Sequence, residues 1–243
     1  MHRHRFDTLL GALILLLVSA PLVQAFLPGR HPYFARIAVA VCFSAMMIAA
    51  VFAVSERRRN VTVSLSLALP AVLLSALGVV LKWNGIVIAY HLFGMCFLGY
   101  TAAVILAFLF QEQRITLNMI FASLCVYLLL GVLWAQVYSL LAFLEPESFV
   151  FGLARDESIR SMRFGGERSV FPLYFSLVTM TTLGYGDIVP ASSAARMFAA
   201  VQAVTGQLYL AVLVARLVGL HISQAAVRKN GNGDPSGKDG LST

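Results

Sequence analysis

Charged side chains are scarce in this sequence. Asp, Glu, Lys and Arg make up 12% of its 243 residues, where a soluble domain carries about 25%. A chain so poor in charge cannot cover a water-facing surface, which excludes an ordinary soluble domain. Cysteine is scarce too. Cys42, Cys96 and Cys125 are the only three, and each sits inside an apolar run. With no C-x-x-C spacing and no Cys/His cluster, neither a disulfide framework nor a zinc site is expected. The cysteines read as small apolar residues. A glycine-rich phosphate loop and a nucleophile–base constellation are also missing, so no enzyme chemistry and no cofactor is expected. No internal repeat stands out.

What is abundant is apolar sequence, at 59% of residues. It is gathered into runs near the 20 residues that span a hydrocarbon core about 30 Å thick. Six such runs are read, at 8–27, 33–54, 61–81, 86–110, 118–144 and 195–220. The fold class expected is therefore an all-α, multi-pass membrane protein. The formal charge of +7 does not imply nucleic acid, because the basic residues flank the runs. His2-Arg3-His4-Arg5, Arg57-Arg58-Arg59, Arg114 and the Arg228-Lys229 pair all fall on one side of a six-span chain. By the positive-inside rule that side is the cytoplasm, with both termini. Arg30 and Lys82 oppose this. Arg57, Arg58 and Arg59 are also candidates to bind anionic lipid headgroups. The first run follows a basic start and ends near Val23-Gln24-Ala25, a small-residue pattern like that of a cleaved signal. Its apolar stretch exceeds a signal core of about 7–15 residues, so a retained helix is the reading.

Between the fifth and sixth runs lies a segment of a different kind, from Phe171-Pro172 to Thr181. Pro172 suits a first helical turn, where its missing N–H is no loss. About ten residues at 1.5 Å each give about 15 Å, half a bilayer. Such a piece enters the membrane without crossing it. Directly after it the chain runs Thr182-Leu183-Gly184-Tyr185-Gly186-Asp187. Non-helical backbone at that depth is tolerated only when buried in protein or lining a watery path.

Thr179-Met180-Thr181-Thr182-Leu183-Gly184-Tyr185-Gly186-Asp187 resembles the signature of the tetrameric potassium-channel pore-domain family, with Leu183 where the family has valine. The resemblance covers 118–220: outer helix, pore helix, selectivity filter and inner helix. It implies that backbone carbonyls of Thr182, Leu183, Gly184 and Tyr185, with the Thr182 hydroxyl, replace the water around K⁺. Gly184 and Gly186 permit the backbone turns this requires. Asp187, Tyr174, Phe175 and Thr181 are implied as support. Tyr185 would pack on pore-helix aromatics, and the Tyr174 hydroxyl would bond Asp187 where relatives use an indole. With Val178 where some relatives carry a carboxylic acid, a filter with few polar struts is expected, one that inactivates readily. Gly206 is a candidate gating hinge, close helix packing being the other reading. Gln202 and Thr205 are candidates to face a cavity.

One loop per chain implies a homotetramer. Residues 1–117 form a four-helix membrane domain in the place of a voltage sensor. The fourth run contains no Arg or Lys, only His91, so strong voltage gating is not expected. His91 is either a proton sensor or a neutral partner between helices. Arg216 is expected to snorkel, Pro70 to kink the third span, and 145–170 to form a solvated outer loop. Residues 221–243 are expected to be a short, disordered cytoplasmic tail. The function implied is passive, selective K⁺ conduction across a plasma membrane, the lean loops pointing to a bacterial one. A weakly selective cation channel and a non-conducting accessory subunit remain open.

Overall fold

The computed structural model describes residues 5–26, 32–55, 58–81, 83–152 and 171–231. Seven helices and two short strands are formed among them. Five helices come first: α1 (Arg5–Phe26), α2 (Pro32–Val54), α3 (Arg58–Leu81), α4 (Asn84–Gln111) and α5 (Leu117–Leu144). Strand β1 (Phe149–Phe151), the ten-residue α6 (Phe171–Met180), strand β2 (Ile188–Pro190) and the long α7 (Ser193–Gly231) complete the chain order. Among the described residues, four segments are long and apolar enough to cross a membrane: Arg58–Gly78, Asn84–Gln111, Leu117–Leu144 and Ser193–Gln224. Shorter apolar stretches, Phe6–Ser19 and Val41–Val54, lie in α1 and α2. The protein is a helical, multi-pass membrane protein.

Several hydroxyls inside apolar helices are satisfied by their own backbone, whereas the buried Ser64 and Thr101 hydroxyls find no hydrogen-bond partner among the described residues. Ser66 donates to Val63 O at 2.8 Å, Ser123 to Ile120 O at 2.7 Å and Ser139 to Ala135 O at 2.8 Å. For these three, this removes the cost of placing an unpaired O–H in hydrocarbon. Thr116 caps α5 by accepting from Met119 N at 3.2 Å. One core joins α1, α2, α4 and α5 through Leu9, Leu13, Met46, Phe97, Leu129 and their neighbours. A second, smaller core gathers Tyr138, Phe149, Phe175, Ile188 and Ala195 around α6.

Two differences from the sequence expectations appear. The last helix does not stop near residue 220 but runs to Gly231, so the first part of the expected tail is helical. Ala225, Ala226 and Val227 carry no helix breaker, and Arg228 and Lys229 suit a helix carboxyl end. The connection after α5 is also not wholly a loop, because β1 pairs antiparallel with β2. Arg57, Arg30, Lys82, the 153–170 stretch and 232–243 lie outside the described residues.

Candidate functional site

The site begins at α6, held at both ends and along its back. Pro172 occupies its second position, as a first-turn proline should. Ser176, buried, donates to Gly131 O on α5 at 2.6 Å. Gln202 of α7, also buried, donates through Nε2 to Ser176 O at 2.9 Å and to Ser176 Oγ at 2.7 Å. Its other end accepts from the Tyr138 hydroxyl of α5 at 2.5 Å. All three helices thus meet in one saturated polar node. Gln202 faces α6 rather than a cavity, because only there are three partners available. Thr205 turns back onto Val201 O at 2.8 Å.

The carboxyl end of α6 closes in a Schellman motif. Leu183 N donates to Val178 O at 2.9 Å and Thr182 N to Thr179 O at 3.1 Å, the paired bonds of that cap. The residue required to be left-handed in such a cap is usually glycine. Here it is Thr182, at φ 58°, a conformation that costs an L-residue about 1–2 kcal/mol. Non-glycine strain of this kind gathers at functional sites. The Thr182 hydroxyl donates to Thr181 O at 2.7 Å, which leaves its oxygen lone pairs able to meet a cation. Thr181 itself donates to Leu177 O at 2.7 Å.

Beyond Thr182 the backbone alternates. Gly184 has φ 54° and Gly186 φ 76°, while Leu183 and Tyr185 between them are not left-handed. A Cβ at Gly184 or Gly186 would meet nothing within 4 Å. Conformation, not space, is what calls for glycine there. Alternating handedness turns successive peptide planes the same way, so the loop can present a row of carbonyl oxygens to a cation. Leu183 and Tyr185 are 55% and 62% exposed.

Asp187 ends the loop. Its Oδ2 accepts from the Tyr174 hydroxyl at 2.6 Å and its Oδ1 from Ile188 N at 3.0 Å. The carboxylate raises the Tyr174 pKa to about 12 through that hydrogen bond. Phe175 points the other way, with its ring 5.0 Å from Tyr138 and 5.1 Å from Phe149.

Gly206 meets the end of α6. A Cβ there would stand 2.7 Å from Met180 Cγ and 2.9 Å from Met180 O, so close approach leaves no room for a side chain at this position. Tyr209 donates to Ser123 O at 2.6 Å, and Arg216 donates to Glu112 O at 2.8 Å while lying over the Phe110 ring. Arg216 thereby ties α7 to the end of α4. His91 Nδ1 lies 2.6 Å from Gln136 Oε1, a bond between α4 and α5. Of these, Gln202, Ser176 and Tyr138 were not legible as a group, since nothing in the sequence links positions so far apart.

A half-length helix is framed by two long apolar helices and delivers an alternating-handed loop. Residues 157–221 match the family described as an ion channel. Two pore potassium channel b of Oryza sativa subsp. japonica is 38% identical over 87 residues, covering 36% of this chain and 22% of that one. Two-pore potassium channel 4 of Arabidopsis thaliana is 39% identical over 70 residues, 28% of this chain and 25% of its own. Two pore potassium channel a of rice is 30% identical over 119 residues, 49% of this chain and 29% of that one. The chain spans about a quarter of the length of the curated relatives it matches. Over part of its length the chain is therefore similar to the ion-channel family and to these potassium channels. Those relatives are plant proteins, so they lend no support to reading the short loops as bacterial.

Proposed function

We propose that this chain is one subunit of a homotetrameric, potassium-selective channel that conducts passively across a plasma membrane. Residues 1–117 form a four-helix domain, and 118–220 the pore domain. Both termini are cytoplasmic, which requires α1 and α2 to span as well. Arg57, Arg58 and Arg59 then face anionic lipid headgroups. The filter is Thr182, Leu183, Gly184, Tyr185 and Gly186, with K⁺ held by the carbonyls of the first four.

The alternating handedness of Thr182 to Gly186, beginning in a strained threonine cap, carries this reading. It is costly to fold and has no packing purpose within one chain. Its residues are exposed, as are Met197, Val204 and Leu208 along α7. Neighbouring copies placed around a fourfold axis would cover that face and give Tyr185 a surface to pack on. Voltage sensing through α4 is not part of the proposal, since Asn84–Gln111 carries no Arg or Lys and each charge moved through 100 mV yields only about 2.3 kcal/mol.

The test is cation uptake by liposomes containing the purified tetramer. Rubidium or thallium should enter down a K⁺ gradient, barium should block entry, and Gly184→Ala should abolish it. Tetramers that admit neither ion would contradict the proposal and favour an accessory subunit, whereas uptake of sodium alongside would mean a weakly selective pore.

A further inference from the structure

The outer connection is joined to the far end of the filter by a contact that the pore reading does not use. Gly152 N, just past β1, donates to Asp187 O at 2.9 Å. At the other end of the same ladder, Ala191 N donates to Ser148 O at 2.7 Å. Between them Phe149 faces Pro190, Val150 faces Val189 and Phe151 faces Ile188. The strand is fixed from behind. Phe149 lies 5.1 Å from Phe175, and Phe151 lies 5.0 Å from Phe171, both rings belonging to α6.

Gly152 is the point of closest approach. A Cβ built on it would lie 2.8 Å from Gly186 O, inside any allowed carbon–oxygen separation. That oxygen belongs to backbone and cannot swing aside as a side chain would. Asp187 is consequently held through its carbonyl by Gly152, and through its carboxylate by Tyr174 and Ile188 N. All three holds come from outside the filter, and only the Tyr174 bond starts from the pore helix.

We infer that β1 and Gly152 form a positioning brace for the outer end of the filter, setting the orientation of the Gly186 and Asp187 peptides. Gly152 acts through those backbone groups and touches no ion. The inference rests on the channel reading. It assigns the missing support of a filter poor in polar struts to the outer connection, which approaches it across a two-stranded sheet. Displacing Gly186 O by a few tenths of an ångström would shift Gly186 and, with it, the adjoining Tyr185 carbonyl, the outermost of the four proposed to hold K⁺.

Tetramers reconstituted in planar bilayers with mixed KCl and NaCl test this. For Gly152→Ala the K⁺-over-Na⁺ permeability ratio should fall at least about fivefold, and current decay should quicken, with external KCl slowing the decay. Val150→Ala, at an exposed position on the same strand, should resemble wild type. A second arm covers an alanine variant that fails to assemble. Phe151→Cys with Ile188→Cys, in a background with the three native cysteines replaced by serine, joins a directly opposed pair. Its currents should decay more slowly oxidised than after reduction by dithiothreitol. Wild-type behaviour in an assembled Gly152→Ala tetramer would overturn the brace. So would identical oxidised and reduced currents should the alanine variant not assemble. Wild-type tetramers that pass no K⁺ current would overturn the channel reading, and the brace with it.

Discussion

Tyr174 shows how one hydroxyl substitutes for a different chemistry. An indole N–H can only donate, and a phenol that stays protonated donates to a carboxylate in the same way. The hydrogen bond to Asp187 keeps it protonated by raising its pKa from 10.0 to about 12. A folded-state pKa raised in this way contributes stability that is complete below the unfolded value and is lost as pH rises through about 12. Between about pH 7 and pH 9 the donor should therefore be intact, and wild-type current decay should not change through this group. Tyr174→Phe removes it. A charge-assisted hydrogen bond is worth about 1.5–3 kcal/mol when sheltered and less at this partly exposed position. Current decay should quicken by about threefold or more, since tenfold corresponds to 1.36 kcal/mol. Decay equal to wild type would show that Asp187 is held adequately without Tyr174.

Among the elements, the helices were legible because spanning a bilayer demands long apolar runs, and the structure places their ends within a few residues of the runs, except that the last helix continues to Gly231. Pro172 and the half-bilayer length announced α6 for the same kind of reason. What was not legible depends on contacts across the chain. Phe149, Val150 and Phe151 alternate too briefly to announce a strand, and its partner lies beyond the filter. Thr182 looked like an ion ligand, with no local sign that it also caps α6, since glycine is the usual marker of that cap. Gln202 could face water or protein, and α7 is apolar on too many sides for helical phase to decide. The structure decides it by saturating Gln202 with Ser176 and Tyr138. Gln202→Leu should therefore orphan a buried hydroxyl and a buried carbonyl, at about 2–3 kcal/mol per subunit. Thermal unfolding of the detergent-solubilised tetramer should fall measurably, and Gln202→Glu should destabilise as well, because its carboxylate cannot donate to Ser176. Unchanged unfolding in both variants would mean the node is dispensable.

At the scale of the whole molecule, a single chain is an incomplete object. The first helices pack into one core with α5, and Arg216 links α7 to the end of α4. The loop and much of α7 face outward with large apolar residues uncovered. The proposed fourfold assembly would complete both surfaces at once, and it would place the strained caps of four Thr182 residues around a common axis. Scattering from thallium, soaked into tetramer crystals as a stand-in for K⁺, tests this most directly. The account predicts a line of thallium peaks on the axis, each ringed by carbonyl oxygens of successive residues from Thr182 to Tyr185. Peaks absent from that line, or a loop found against lipid, would contradict it.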